Sequence, residues 1–177
     1  MEIQEQTFRL RPFREADEQA IVASLNDWAI AQWLTRPPFP YTVDDARWWI
    51  DFVRRDHEGP RPGHFAVADP SDGRAVGCVS LEIEESGDSA ELGYWLAKSH
   101  WGQGLATAVA GAVVDHGFDT LGLRRLFATT DPANAASQRV LRKRGFEEVG
   151  LRPLGQSSRR GSAHHILFER RAEVGRR

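Results

Sequence analysis

The sequence predicts a mixed α+β fold, a mostly antiparallel central sheet flanked by helices. Three observations predict it. Apolar runs at 65–68, 75–84 and 90–96 are separated by the turn signals Pro70-Ser71-Asp72-Gly73 and Ser86-Gly87-Asp88. That is a meander, and meanders pair antiparallel. A helix-period segment then separates the third run from a strand at 125–130, and a strand-helix-strand step implies a parallel neighbour. Finally, 177 residues with 41% hydrophobic content suit one domain over 1–177 with a sizeable core.

In chain order, Thr7-Phe8-Arg9-Leu10-Arg11-Pro12 alternates as a first strand. Glu15 to Leu34 has helical spacing at Ala20, Val22/Ala23 and Ile30 and stops at Pro37-Pro38-Phe39-Pro40. Thr42 caps a second helix, with Asp44 and Asp45 suiting its dipole, and this helix runs to about Asp56. His57 to Gly63 is a loop. The three meander strands follow, the last being Ala90 to Leu96. A helix spans Gly104 to Thr120 with apolar positions at Leu105, Val109, Ala112, Val113 and Phe118. After the 125–130 strand, Asn134 to Arg144 is a helix closed by Gly145. Phe146–Leu151 and His164–Arg170 are the last strands, and the polar segment 152–161 between them is expected to be mobile. Trp28, Trp33, Trp48 and Trp49 fall in the two N-terminal helices, where most are expected in the core.

Several functional classes are disfavoured. A net charge of -2 gives no basic field for nucleic acid. The start, Met1-Glu2-Ile3-Gln4-Glu5-Gln6, lacks the regions of a signal peptide. No apolar run approaches the roughly 20 residues of a membrane span. A cytoplasmic protein without a membrane partner is expected. The single cysteine, Cys78, lies in an apolar run as a buried strand thiol would. Metal binding is not expected, since adjacent strand histidines, His164 and His165, point to opposite faces.

The most informative segment is Trp101-Gly102-Gln103-Gly104-Leu105-Ala106-Thr107, between a strand and a helix. Gly102 and Gly104 let backbone N–H groups converge at a helix start, where free amides and the dipole favour an anion such as a pyrophosphate. A tight connection without ligand would use the same glycines. The segment lacks the lysine of a P-loop, and Thr107 stands where a dinucleotide fingerprint wants Gly or Ala.

Glu91-Leu92-Gly93-Tyr94-Trp95-Leu96, the 101–107 segment, and Asn134-Ala135-Ala136-Ser137-Gln138-Arg139-Val140-Leu141-Arg142-Lys143-Arg144-Gly145-Phe146 occur in this order. Together they resemble the GNAT N-acetyltransferases, closest to the RimJ/RimL-type branch, as does the start Leu10-Arg11-Pro12-Phe13 with Glu15 and Asp17. The similarity is weak over 20–65. Two departures stand out. Trp101 occupies a position where the superfamily carries Gln or Arg, and the stretch Gly161-Ser162-Ala163-His164-His165 lacks the aspartate that branch members often carry before the final strand.

The resemblance implies an acyl-CoA N-acyltransferase-like fold in which acetyl-CoA is co-substrate and a primary amine, a protein N-terminus or a small molecule, is acceptor. It implies coenzyme contacts from Tyr94, Trp95, Leu96, Trp101, Gly102, Gln103, Gly104, Leu105, Ala106, Thr107, Asn134 and Ser137. The strand 93–96 splays from its neighbour, and its amides polarise the acetyl carbonyl. Asn134 can also be only a helix cap. The Ser137 hydroxyl can protonate the departing thiolate, or can be a solvated helix position. The amine must lose a proton before attack. Glu91 is positioned to accept it, or to form a structural ion pair with an arginine. One of His164 and His165 can face the cleft as an alternative base. Transfer is direct, in a ternary complex. The rival class is a non-catalytic acyl-CoA-binding sensor, and the acyl donor need not be strictly acetyl. A homodimer is compatible with the sequence.

Overall fold

The computed structural model describes residues 3–59, 61, 63–155 and 158–173. Its strands are β1 (Ile3–Gln4), β2 (Arg9–Arg11), β3 (His64–Ala68), β4 (Ala75–Ile83), β5 (Ser89–Leu96), β6 (Arg125–Thr130), β7 (Glu147–Pro153) and β8 (His164–Arg171). They form one sheet of order β1-β2-β3-β4-β5-β6-β8-β7. Every pairing is antiparallel except β5 with β6. The expected mixed, mostly antiparallel α+β architecture is therefore present.

Side-chain alternation divides the sheet into two covered faces. Leu92 and Leu96 of β5 pack with Val109 and Val113 of helix α4 (Leu105–Asp115) and Leu141 of helix α5 (Ala135–Lys143). On the other face, Ala66 and Cys78 pack with Ile21 and Leu25 of α1 (Glu18–Leu25) and with Ile50 and Val53 of α3 (Val43–Asp56), with Trp95 at the edge of that cluster. Cys78 is a buried strand thiol as expected, and burial pushes its pKa up.

Thr42 and Asp45 form the reciprocal cap expected for α3, with Asp45 N–H donating to Thr42 Oγ1 at 3.1 Å and Thr42 N–H to Asp45 Oδ2 at 2.8 Å. The single helix expected over 15–34 is instead a 3-10 turn (Glu15–Asp17), α1, and α2 (Trp28–Ala31). Competing polar contacts break it. Asn26 turns away to Tyr41, donating Nδ2–H to its carbonyl at 2.7 Å and accepting its N–H at 2.9 Å. Asp27 then caps α2 by accepting the Ala29 N–H at 2.8 Å. The helix expected to reach Thr120 stays regular only to Asp115 and closes in a π turn over His116–Thr120.

The tryptophans also depart from expectation. Trp48 is 65% and Trp28 49% exposed, while Trp33 and Trp49 are half-buried. None of the four is fully buried: Trp33, Trp48 and Trp49 line a cavity, and Trp28 lies against Phe39 at 5.4 Å.

One irregularity of the sheet governs the rest. β5 and β6 pair only at Ser89↔Arg125, Ala90↔Leu126 and Glu91↔Phe127. Beyond those rungs, β5 continues on β4 alone and β6 on β8 alone. The expected splay of 93–96 from its neighbour is thus present. No described helix is long and apolar enough to cross a membrane.

Candidate active site

The gap between β5 and β6 opens into a cavity of about 1210 Å³ that reaches both faces of the sheet. On the α4/α5 face it ends at the start of α4. Gly102 and Gly104 have φ of 75° and 78°, a left-handed conformation that costs a non-glycine residue roughly 1–2 kcal/mol. A Cβ at either would meet nothing within 4 Å beyond its own chain neighbours. Backbone is therefore presented to open space at a helix N-terminus, where four amides lack intrahelical acceptors. These residues can hold an anion.

The surrounding residues divide by task. Leu105, Ala106 and Thr107 all line the cavity, Leu105 with its side chain largely buried in the core. Leu96 is likewise buried in the core. Trp101 braces the loop by donating Nε1–H to the Leu96 carbonyl at 2.8 Å, with its ring part-exposed at the cavity. Gln103 is exposed, donates Nε2–H to the Ser99 carbonyl at 3.1 Å, and is not among the lining residues.

Across the mouth, Asn134 Oδ1 accepts the Ser137 N–H at 3.1 Å, the expected cap of α5, while lining the cavity. Ser137 Oγ lies 2.9 Å from the Tyr94 hydroxyl. This hydroxyl pair joins α5 to β5 over the gap. Burial pushes the Tyr94 phenol up to about 12, so it remains protonated and able to donate.

On the opposite face, Glu91 stands beside the last β5–β6 rung. Its Oε1 accepts the Thr129 hydroxyl at 3.0 Å. Its Oε2 is 3.7 Å from Arg36 Nη2 and 3.8 Å from Arg152 Nη1. Glu82, its register partner on β4, pairs with Arg36 as well. His64 sits between Asp56 Oδ2 at 3.4 Å and Glu82 Oε1 at 3.9 Å. An aromatic wall completes this end: Trp33, Trp49, and Trp48 stacked on Phe52 at 5.6 Å.

Two residues beyond the gap form a buried polar pair. Asp131, just after β6, accepts from Ser162 Oγ at 2.7 Å, Ser158 Oγ at 3.2 Å and the Ala133 N–H at 2.9 Å. Burial alone would raise its pKa, but these hydrogen bonds outweigh burial and hold the carboxyl below the usual range. Sequence reasoning did not single out Asp131. The stretch 161–165 carries no acid of its own, and the acid that meets Ser162 lies just after β6, far from it in sequence. His165 is buried, lines the cavity and lies 4.0 Å from Asp131, while His164 is exposed.

Gln156 and Ser157 of the segment expected to be mobile lie outside the described residues. The part that follows is tied down: Arg159 donates to the carbonyls of Ala31 (2.9 Å), Leu34 and Pro37, and Arg160 covers the Trp33 ring at 4.7 Å. Arg159 and Arg160 therefore form a roof over Trp33, Leu34 and Pro37, which line the acidic and aromatic end. Among the described residues, no group of three or more His, Cys, Asp or Glu could hold a metal ion.

With this geometry in view, likeness to known proteins is informative. A family model described as acetyltransferase (GNAT) domain matches residues 7–147. The "Probable N-acetyltransferase YjcK" of Bacillus subtilis is 38% identical over 113 residues, which is 63% of this chain and 62% of that protein. The chain thus spans under two-thirds of that relative's length. Among solved structures, a ribosomal-protein-S5-alanine acetyltransferase from Vibrio fischeri superposes with a TM-score of 0.85 at 20% identity, covering 100% of both chains. Mycobacterium smegmatis RimJ in complex with CoA-disulfide superposes with a TM-score of 0.79 at 26% identity, over 96% of this chain and 84% of that one.

Proposed function

This chain belongs to the acetyltransferase (GNAT) family, one of the GNAT N-acetyltransferases, and on that premise we propose that it transfers the acetyl group of acetyl-CoA to a primary amine. One observation carries the reading. The β5–β6 gap connects a glycine-built anion cradle on one face to an acidic, aromatic pocket on the other. A thioester passing through the gap would meet an amine arriving from the far side.

Each part then has a task. Amides at Gly102–Thr107 would hold the pyrophosphate at the α4 start. Asn134 and the free edge of β5 around Tyr94, Trp95 and Leu96 would hold the pantetheine arm, and β5 amides would polarise the acetyl carbonyl. Glu82 and Glu91 would attract a cationic acceptor, and Trp33, Trp48 and Trp49 would pack on its apolar body. Transfer is direct, in a ternary complex whose rate owes much to proximity. The Ser137 hydroxyl, backed by Tyr94, would protonate the leaving thiolate. A thiol pKa near 8.5 makes that help modest. A non-catalytic acyl-CoA sensor has no use for the acidic and aromatic end.

The test is thiol release from acetyl-CoA with a panel of spermidine, phenethylamine and an alanine-leading peptide. Release dependent on the amine supports transfer. Tight acetyl-CoA binding with no release from any amine would favour the sensor.

A further inference from the structure

We propose that His165 takes the proton from the incoming ammonium, while Glu91 holds that ammonium by charge. The inference rests on the acetyl-transfer reading and assigns a base to it.

The geometry separates the two groups. One oxygen of Glu91 accepts the Thr129 hydroxyl, and the other lies in ion-pair range of the guanidiniums of Arg36 and Arg152, at 3.7 and 3.8 Å, which favours its charged form. The His165 Nε2 is buried without a hydrogen-bond partner, although the residue, 4% exposed, lines the cavity. An unpaired buried nitrogen is costly and rare unless something is meant to meet it. Asp131 does not satisfy it. Its Oδ2 is 4.0 Å away and already accepts from Ser158 and Ser162. Register places His165 on the acceptor face with Glu91. Glu91 and Phe127 pair, Thr129 is two residues on and bonds Glu91, and Leu167 pairs with Thr129, two residues from His165.

Charge around the ring suits a base that is neutral at rest and cationic in passing. Asp131 after β6 and Glu91 on β5 favour the imidazolium, while Arg152, its register partner on β7, and Arg36 in the stretch after α2 oppose it through their hold on Glu91. Burial is the largest influence and pushes the His165 pKa below the ordinary histidine value, so the ring is neutral at pH 7.

The step balances simply. One proton moves from R–NH3+ to Nε2, giving R–NH2 and an imidazolium that faces Asp131. The nitrogen lone pair forms the C–N bond, and the C–S bond breaks with its electron pair on sulfur. A second proton leaves the nitrogen while the thiolate gains one through Ser137. The imidazolium finally releases its proton to solvent, so one amine proton in all reaches solvent.

The experiment combines turnover and titration on the full chain. With the panel amine that gives the fastest thiol release, His165→Gln should lower kcat at pH 7 by about 10²-fold or more, with acetyl-CoA affinity by calorimetry unchanged. The acid limb of the wild-type kcat/KM profile, lying below the ordinary histidine pKa of about 6.5, should vanish in the variant. Added imidazole should partly rescue His165→Ala, which a merely structural role would not allow. ¹⁵N NMR should show the His165 ring neutral at pH 7. A variant with wild-type kcat and an unshifted acid limb, or a ring charged at pH 7, overturns the assignment. Turnover that survives in the variant leaves the transfer reading standing, whereas no release by the wild type removes both.

Discussion

At the scale of single residues, the anion cradle makes an asymmetric demand. A Cβ at Gly104 would meet nothing within 4 Å beyond its chain neighbours, so the main loss to the protein on substitution is in backbone conformation. A ligand phosphate would lose much more. Gly104→Asp is expected to remain folded, at a cost of roughly 1–2 kcal/mol for its left-handed φ, and to abolish acetyl-CoA binding by calorimetry through repulsion and blockage. Undiminished affinity would remove the phosphate cradle from the proposal. Glu91 makes a different demand. If it attracts the acceptor by charge, Glu91→Gln should raise the acceptor KM by roughly 10-fold, a partly screened fraction of the Coulomb energy of a close pair. It should leave acetyl-CoA affinity unchanged and the acid limb of kcat/KM present, moved to lower pH because Glu91 favours the imidazolium. A loss confined to kcat, with that limb abolished, would make Glu91 the base instead of His165.

At the scale of elements, the roof over the acceptor end hangs on Arg159, whose guanidinium meets three carbonyls of the 31–37 arm. Charged hydrogen bonds of this kind contribute about 1.5–3 kcal/mol each when buried, and here they are part-exposed. Arg159→Ala should therefore destabilise by about 2 kcal/mol in urea titration and raise the acceptor KM while sparing acetyl-CoA binding. An unchanged KM would mean that the roof does not touch the acceptor. The elements also show what a sequence discloses. Meander strands, the α4 start and the Thr42 and Asn134 caps were legible because turn residues, period and capping chemistry are local. The break at Asn26 was not, because its cause is Tyr41, fifteen residues on. The tryptophans misled for a related reason: apolar spacing shows which side of a helix faces inward, not whether a cavity lies there. His165 could be narrowed to one of two adjacent residues, but choosing between them needed the β6–β8 register. Asp131 was hidden because its partners, Ser158 and Ser162, come from a distant loop.

For the molecule as a whole, the buried polar pair should shape acid stability. Hydrogen bonding holds Asp131 below the usual carboxylate range, and burial holds His165 below the usual histidine value. Both folded pKa values are depressed, so the unfolded chain binds more protons and stability rises with pH through each window. The stabilisation is complete above about pH 6.5. It should decline as pH falls into the histidine window, and again below about pH 3.9 through the carboxylate window. Urea midpoints from pH 8 to 3 check this. His165→Gln should flatten the first decline and Asp131→Asn the second. Stability that increases from pH 7 to 5 would contradict it.

The parting of β5 from β6 also has a mechanical consequence. Three rungs, at 89–91 and 125–127, with the Arg124 N–H donating to the Asp88 carbonyl at 2.7 Å just before them, join the β1–β5 half of the sheet to the β6–β8–β7 half. Past them, each half presents a strand edge that the other half does not ladder. Such edges open more readily than laddered strands. A pantetheine arm lying in the notch would act as a surrogate strand, splicing the halves along the length where the chain does not. Coenzyme should therefore arrive first and stiffen the hinge before the acceptor can dock. Hydrogen–deuterium exchange should show new protection at 92–96 and 128–130 on adding acetyl-CoA, with β3 and the inner stretch of β4 unchanged.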